Sequence, residues 1–349
     1  DYLLLKNTNL FIIILTRIIS RIIIIFIIKI IVSQQDPEFK IPWLIVLFVL
    51  PGLGVILYIF FRQKPLKKKQ AKVLEEARKA YAPYFDSTIN TQCHDGGYDL
   101  PIDFLTHVSG FTPCEKNKIT YFKCGEEFFP DFISKLEEAK EFIFMEFFII
   151  HHGEEWEKIH DVLKRKAAEG VEVRLLYDDF GCLTTLYRSY VKKLRKEGIK
   201  AYRFNKLHAV ISGTANNRTH RKIAVIDHKY AYTGGMNLGD EYANDIQRFG
   251  YWKDTMIRIE GSAINNLIAL FLTNHDLNIC KLSDYKKYLD YKYPEYESGS
   301  TIIPFGTGPE NVYSVRVGEQ NFVNIIDSAK DYIYISTPYL IPSLDLISS

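Results

Sequence analysis

The segment from Asn217 to Tyr242, NRTHRKIAVIDHKYAYTGGMNLGDEY, concentrates the residue types that could do chemistry. It holds His220, Lys222 and then Asp227 around the apolar run IAVI. That run reads as a β-strand, in which successive side chains alternate faces, so His220 and Lys222 share a face and Asp227 has the opposite parity. A histidine beside a lysine at a strand end suits a phosphate. Imidazole can attack phosphorus, and an ammonium group can neutralise the non-bridging oxygens. After the following strand, Gly234 and Gly235 permit positive φ and close backbone approach, and they return Asn237 to the same end as a neutral donor. Taken alone, an HxK pair is also what an ordinary solvated strand end looks like.

Other candidates are thinner. His151-His152 follows an apolar strand, but no cysteine or carboxylate stands at ligand-like spacing, and the chemistry proposed needs no metal, so no metal and no cofactor are expected. Five scattered cysteines (Cys93, Cys114, Cys124, Cys182, Cys280) form no CxxC pair and no disulfide framework. DYKKYLDYKYPEY at 284–296 interleaves aromatics with lysines as a base-stacking surface would, yet its acidic residues nearly cancel the charge. No GxxxxGK[ST] loop and no GxSxG elbow is present, which removes support for nucleotide hydrolysis and serine-hydrolase chemistry.

Positioning such a site takes a sheet. From about Lys118 the pattern alternates helix and strand: a short amphipathic helix over 131–140, FIFMEFFII at 142–150, a helix near 155–169, VEVRLLYDD at 171–179, a helix near 186–197, then IKAYRF. Two strands around 222–233 and one around 255–260 complete an α/β domain with helices covering a mixed sheet. AKEFIFMEFFI at Ala139 resembles AKDYIYISTPY at Ala329, 190 residues later, so a second strand-opening copy is expected from Asp331 to Ile341, with an unpaired edge and exposed apolar surface.

The chain of 349 residues is 47% apolar and 25% charged, which excludes disorder. A net charge of +2 is too balanced for a protein that coats nucleic acid. The apolar residues crowd into the first sixty positions. Residues 41–61, IPWLIVLFVLPGLGVILYIFF, carry no charge and are long enough for one membrane span, with Pro51 predicted to kink it. Residues 10–32, which carry Arg17, Arg21 and Lys29, are expected as a second span, so that the two form a transmembrane helical hairpin with both ends inside. Arg62, Lys64, Lys67, Lys68 and Lys69 then place that end, and everything after it, on the cytoplasmic side. The expected plan is a membrane anchor over 1–69, a connector over 70–117, a catalytic domain over 118–295, and an incomplete second domain over 296–349.

HxKxxxxD followed by GGxN resembles the catalytic motif of the phospholipase D superfamily. YDDFGC at 177–182, Phe204-Asn205, HRKIAVID, TGGMNLGDEY and WKDT at 252–255 follow the order of its bacterial cardiolipin synthase branch. The two-segment N-terminus, IPFGTGP and TPYLIPSLDL are similar to that branch's anchor and to the opening of its second half. The resemblance implies a multi-pass protein of the cell membrane whose phospholipase D-like mixed sheet acts as a phosphatidyltransferase. It would join two phosphatidylglycerol molecules through a phosphohistidine and release glycerol.

It implies His220 as nucleophile or acid/base partner, Lys222 and Asn237 as phosphate-binding groups, Asp227 as the motif aspartate, and Asp254 as the carboxylate orienting the histidine. The implied partners are phosphatidylglycerol and other anionic phospholipids in a membrane, without nucleic acid; oligomeric state is left open. Two features depart from the pattern. The chain has one HxKxxxxD where the family has two, and Cys182 stands where serine is usual. The same motif would also serve phospholipase D hydrolysis or nuclease chemistry, and a chain with one half-site is expected to be inactive alone.

Overall fold

The computed structural model describes residues 2–33, 37–62, 66–85, 99–207, 217–248, 250–297, 300–308, 316–337 and 341–349. The chain divides into two compact units, a smaller one of residues 1–65 and a larger one containing 66–207 and 218–349.

The smaller unit contains α1 (Tyr2–Val32), α2 (Pro37–Val49) and α3 (Pro51–Phe61). Ile30, Leu47 and Tyr58 form a narrow buried seam, with Tyr58 edge-on to Phe26 and Trp43. Around that seam the apolar side chains are exposed, Ile28, Phe48 and Val49 among them. The kink predicted at Pro51 takes the form of a full break between two helices. The helix breaks at Leu50 (φ −127°, ψ 67°), and Pro51, whose ring disfavours a helical residue before it, opens a new one. Among the described residues no helix is long and apolar enough to cross a membrane.

In the larger unit α4 (Lys68–Tyr81) and α5 (Asp99–Ser109) lead into the sheet. Its strands are β1 (Lys118–Phe122), β2 (Phe142–Phe147), β3 (Glu172–Asp178), β4 (Lys200–Phe204), β5 (Ile223–Ile226), β6 (Tyr230–Gly234) and β7 (Met256–Glu260). They lie in the order β1-β7-β6-β5-β2-β3-β4. β2, β3 and β4 are parallel, linked by the crossover helices α7 (Glu154–Ala168) and α8 (Tyr190–Lys196). β5, β6, β7 and β1 continue antiparallel. This is the mixed sheet flanked by helices that the sequence pattern predicts.

The alternation of β2 shows why both faces must be covered. Ile143, Met145 and Phe147 pack on one side beneath α6 (Gly125–Glu137), α7 and α8. Phe142 and Phe144 pack on the other beneath α9 (Ile264–Ile279) and α10 (Tyr285–Leu289). α4 belongs to this second layer, because its buried Ala77 and Tyr81 join the α9 cluster.

Beyond the sheet come α11 (Val317–Asp327), which lies beside α5, and α12 (Leu344–Ser348). The strand expected from Asp331 to Ile341 does not form over 332–337, and residues 338–340 lie outside the described set. Tyr332, Tyr334 and Ile335 are exposed, and among the described residues no strand pairs with them. Cys93 also lies outside the described residues.

Candidate active site

Because β5 runs antiparallel to β2, the start of β5 lies at the exit of β2, with Ile223 opposite Glu146. The approach to β5, the turn after β3, the loop after β6 and the approach to β7 meet at this end of the sheet. Ile150 bridges Leu238, and the His151 N–H donates to the Leu238 carbonyl at 2.7 Å.

His220 is exposed here, its ring 4.9 Å from that of Phe148, and among the described residues nothing hydrogen-bonds its imidazole. Lys222 is buried, donates from Nζ to the His220 carbonyl at 2.8 Å, and lies 5.7 Å from the Phe148 ring centre. Burial lowers the Lys222 ammonium to about 8, with the Asp254 carboxylate pulling the other way. Partial burial and the neighbouring Lys222 cation hold His220 below its ordinary value, opposed by Asp178 and Asp254. The result is a neutral imidazole beside a cation that shares its strand face.

Asp254 enters through this field. Its Oδ1 accepts from the Thr255 N–H at 2.8 Å, and it forms no hydrogen bond to His220 among the described residues. The glycine pair makes room for it, since a Cβ on Gly235 would lie 2.0 Å from Asp254 Oδ1 and one on Gly234 would lie 2.4 Å from the Thr255 carbonyl. Neither glycine has positive φ, so close approach, and not the left-handed backbone that the sequence also allowed, is why both are glycine.

Two expected site residues are placed differently. Asp227 stands at the far end of β5, buried, with positive φ of 49°. Its carboxylate accepts from three backbone amides: Lys140 at 2.9 Å, Glu141 at 2.8 Å and Phe142 at 2.8 Å. It fastens the start of β2 to the end of β5, the end of the strand away from His220. Asn237 is buried in the loop after β6, where Oδ1 accepts from the Ile149 N–H at 3.0 Å and Nδ2 donates to the Tyr242 hydroxyl at 2.9 Å. Its amide frames the loop where the sequence expected a phosphate donor.

The residues that hold His220 in place were not singled out by spacing. Asp178, fully buried at the end of β3, accepts from the N–H groups of Phe180 at 2.8 Å, Gly181 at 3.0 Å and Thr219 at 3.1 Å, and from Arg218 Nη1 at 3.3 Å. It thus ties the YDDFGC turn to the chain immediately before His220. Cys182 in that turn accepts from the Ile150 N–H at 3.2 Å and donates to the Phe148 carbonyl at 3.6 Å, so the thiol makes bonds that a serine hydroxyl would make.

On the opposite face Arg221 donates to the carbonyls of Leu270 and Thr307, both at 3.2 Å. Among the described residues no group of His, Cys, Asp and Glu could hold a metal ion. His151 instead pairs with Glu241 at 3.0 Å, and His152 stands 3.5 Å from Glu157.

Residues 132–267 match the family model described as cardiolipin synthase, PLD-like domain, and residues 18–63 match one described as phospholipase D-nuclease N-terminal. An uncharacterised protein of Streptococcus mutans is 38% identical over 88% of this chain and 67% of its own length. A cardiolipin synthase of Staphylococcus aureus is 32% identical over 88% of this chain and 64% of its own length. Cardiolipin synthase 2 of Staphylococcus epidermidis matches at 32%, with the same coverage. The chain therefore spans about two thirds of the length of the curated relatives it matches. Among solved structures, NucT from Helicobacter pylori overlays loosely, with a TM-score of 0.33 and 16% identity over 50% of this chain and 96% of that one.

Proposed function

The chain belongs to the cardiolipin synthase family of phospholipase D-like proteins, and on that premise we propose that its site carries out phosphatidyl transfer between two phosphatidylglycerol molecules. The observation that carries this reading is the exposed His220 imidazole, unbonded among the described residues and held neutral beside the Lys222 ammonium. A neutral imidazole has the lone pair that attack on phosphorus needs. Lys222 and the site's field then stabilise charge on the non-bridging oxygens.

In the first step the His220–phosphorus bond forms and the bond from phosphorus to the glycerol oxygen breaks. A general acid gives that oxygen its proton; by family resemblance this is the histidine of a second motif, and the present sequence holds one HxKxxxxD. In the second step the hydroxyl of another phosphatidylglycerol attacks phosphorus, loses its proton to the same group and frees His220. Asp254 acts through its field on His220 and Lys222, and Asn237 by holding the loop; a direct phosphate contact from Asn237 is no part of this reading. The exposed apolar surface around the seam of residues 1–65 supports docking of that unit into a lipid bilayer, with the basic residues after Phe61 at the cytoplasmic headgroups.

The test measures cardiolipin and glycerol released from phosphatidylglycerol vesicles, using this chain and a version extended by a second HxKxxxxD half, each with and without His220→Ala. The extended protein should form cardiolipin, with a phosphoryl adduct on His220, and His220→Ala should lower the rate at least about 100-fold. Retention of a tenth of the rate removes His220 from the reaction. Solvent exposure of His220 favours one second reading, hydrolysis to phosphatidate, and the ratio of phosphatidate to cardiolipin decides between them.

A further inference from the structure

One acidic side chain sits where an apolar strand should have none. Glu146 lies on β2 between Met145 and Phe147 and is fully buried. By parity it shares the α9 face with Phe142 and Phe144, opposite the face of His220 and Lys222. Oε1 accepts two bonds, one from the Thr219 hydroxyl and one from Asn274 Nδ2 of α9 at 2.5 Å. Oε2 is buried and has no hydrogen-bond partner among the described residues. Thr219 precedes His220, and its own N–H is held by Asp178. Two buried acids therefore grip one residue, Glu146 by its side chain and Asp178 by its backbone.

The arrangement of donors fixes the form of the acid. An ionised carboxylate spreads charge over both oxygens, and leaving one of them buried without a donor is costly. A neutral acid concentrates its acceptor strength on the carbonyl oxygen, where both donors here point, and leaves an unpaired hydroxyl at Oε2, a smaller penalty than an unpaired charged oxygen. Of the groups around it, Arg221, from the segment before β5, favours ionisation more than Asp178, from β3, opposes it, and the bonds from Thr219 and from the neutral Asn274 of α9 also favour the charged form. Burial is the largest influence and raises the carboxyl above its usual range.

We propose that Glu146 is a positioning residue for His220, acting as an uncharged pin through Thr219. The assignment rests on the reading of His220 as the reacting group. A displacement of the Arg218–His220 segment would move the imidazole relative to Lys222 and Phe148, and small misplacements of a nucleophile carry large rate penalties.

The experiment reads the imidazole itself, on the full 349-residue chain. Carbethoxylation of His220 by diethylpyrocarbonate is followed by peptide mass spectrometry from about pH 5 to 8, which gives both its reactivity and its inflection. Glutamine keeps the carbonyl acceptor and the shape of the neutral acid. Glu146→Gln should therefore follow the wild-type profile within about twofold, while Glu146→Leu and Thr219→Val should change the His220 rate about fivefold or more and displace the inflection.

A glutamine variant that behaves like the leucine variant overturns the uncharged form. A leucine or valine variant that leaves both rate and inflection in place overturns the positioning role. Should Glu146→Leu fail to fold, Thr219→Val carries the second comparison. Carbethoxylation needs only an accessible neutral imidazole, so failure of the phosphatidyl-transfer reading leaves this result standing.

Discussion

The two ends of β5 differ more than any other pair of places in the motif. At its end, Asp227 is a buried carboxylate whose acceptor capacity is filled by three backbone amides. At its start, among the described residues, His220 is exposed with an unbonded ring and Lys222 is buried with its ammonium on a single carbonyl. Filled acceptors make Asp227 a fastener. Unfilled groups with lowered proton affinity make the other end reactive. One short sequence motif therefore contains two kinds of residue, and hydrogen-bond satisfaction separates them.

The sharpest test of that difference exchanges the two losses. In the extended two-motif protein His220→Ala should lower activity by about 100-fold or more and change thermal stability little, since among the described residues nothing hydrogen-bonds the imidazole and only its ring contact with Phe148 is lost. Asp227→Ala should do the reverse. Three backbone amides lose their acceptor, that of Phe142 buried, and alanine must adopt the positive φ, so unfolding in urea should show a loss of about 2 kcal/mol or more, while folded protein keeps a reactive His220. Asp227→Asn, which tolerates that backbone and keeps an acceptor, should lose about 1 kcal/mol. A stable but inactive Asp227→Ala protein would erase the distinction between the ends.

A pH profile sharpens the reactive side. His220 must be neutral to attack, and its value lies below the ordinary one, so the acid limb of activity should fall earlier on the pH scale than a free imidazole would give. Lys222 is a cation below its value of about 8 and neutral above it, so activity should decline through about pH 8. Lys222→Arg, charged throughout, should remove that alkaline decline even if it lowers the rate. A decline that survives in the arginine variant would place the titrating group elsewhere.

How far the sequence revealed this follows from the physics of each element. The strands of the sheet were legible because apolar runs bounded by charged helices have few other uses, and the opposite parity of Asp227 already separated it from His220 and Lys222. α9 was not legible. Leu267 through Leu272 are all buried, so the helix presents no polar stripe and no 3.6-residue period. Without α9, the amphipathic α4 had no visible partner and read as a connector. Glu146 left one trace, a carboxylate inside FIFMEFFII, but its meaning depends on Thr219 and Asn274, which are 73 and 128 residues away. The break at Leu50 was foreseen as a kink at Pro51, though not as the division of one segment into two helices.

The glycine pair gives a smaller effect with the same logic. A methyl group at Gly235 meets the Asp254 carboxylate, which must turn away from the position in which it acts on His220 and Lys222. Gly235→Ala should lower activity about tenfold with little change in stability, because the carboxylate can move toward solvent. Unchanged activity would show that the position of Asp254 does not matter to the imidazole.

The smallest effect should come from Cys182, and it tests whether position alone makes a residue reactive. Its thiol lies at the reactive end, one strand from Phe148, yet it is engaged in the manner of Asp227. It accepts from the Ile150 N–H and donates to the Phe148 carbonyl. Burial pushes it up to about 12, so it stays protonated at any pH at which the protein is assayed. Serine can accept and donate at the same place, and nothing in the proposed reaction uses sulfur. Cys182→Ser should therefore change stability by no more than about 1 kcal/mol and activity by less than about twofold, and the wild-type thiol should resist alkylation in the folded protein. Rapid alkylation with parallel loss of activity would mean that Cys182 is open to solvent and belongs with His220, and hydrogen-bond satisfaction would then fail as the criterion dividing the two ends of β5.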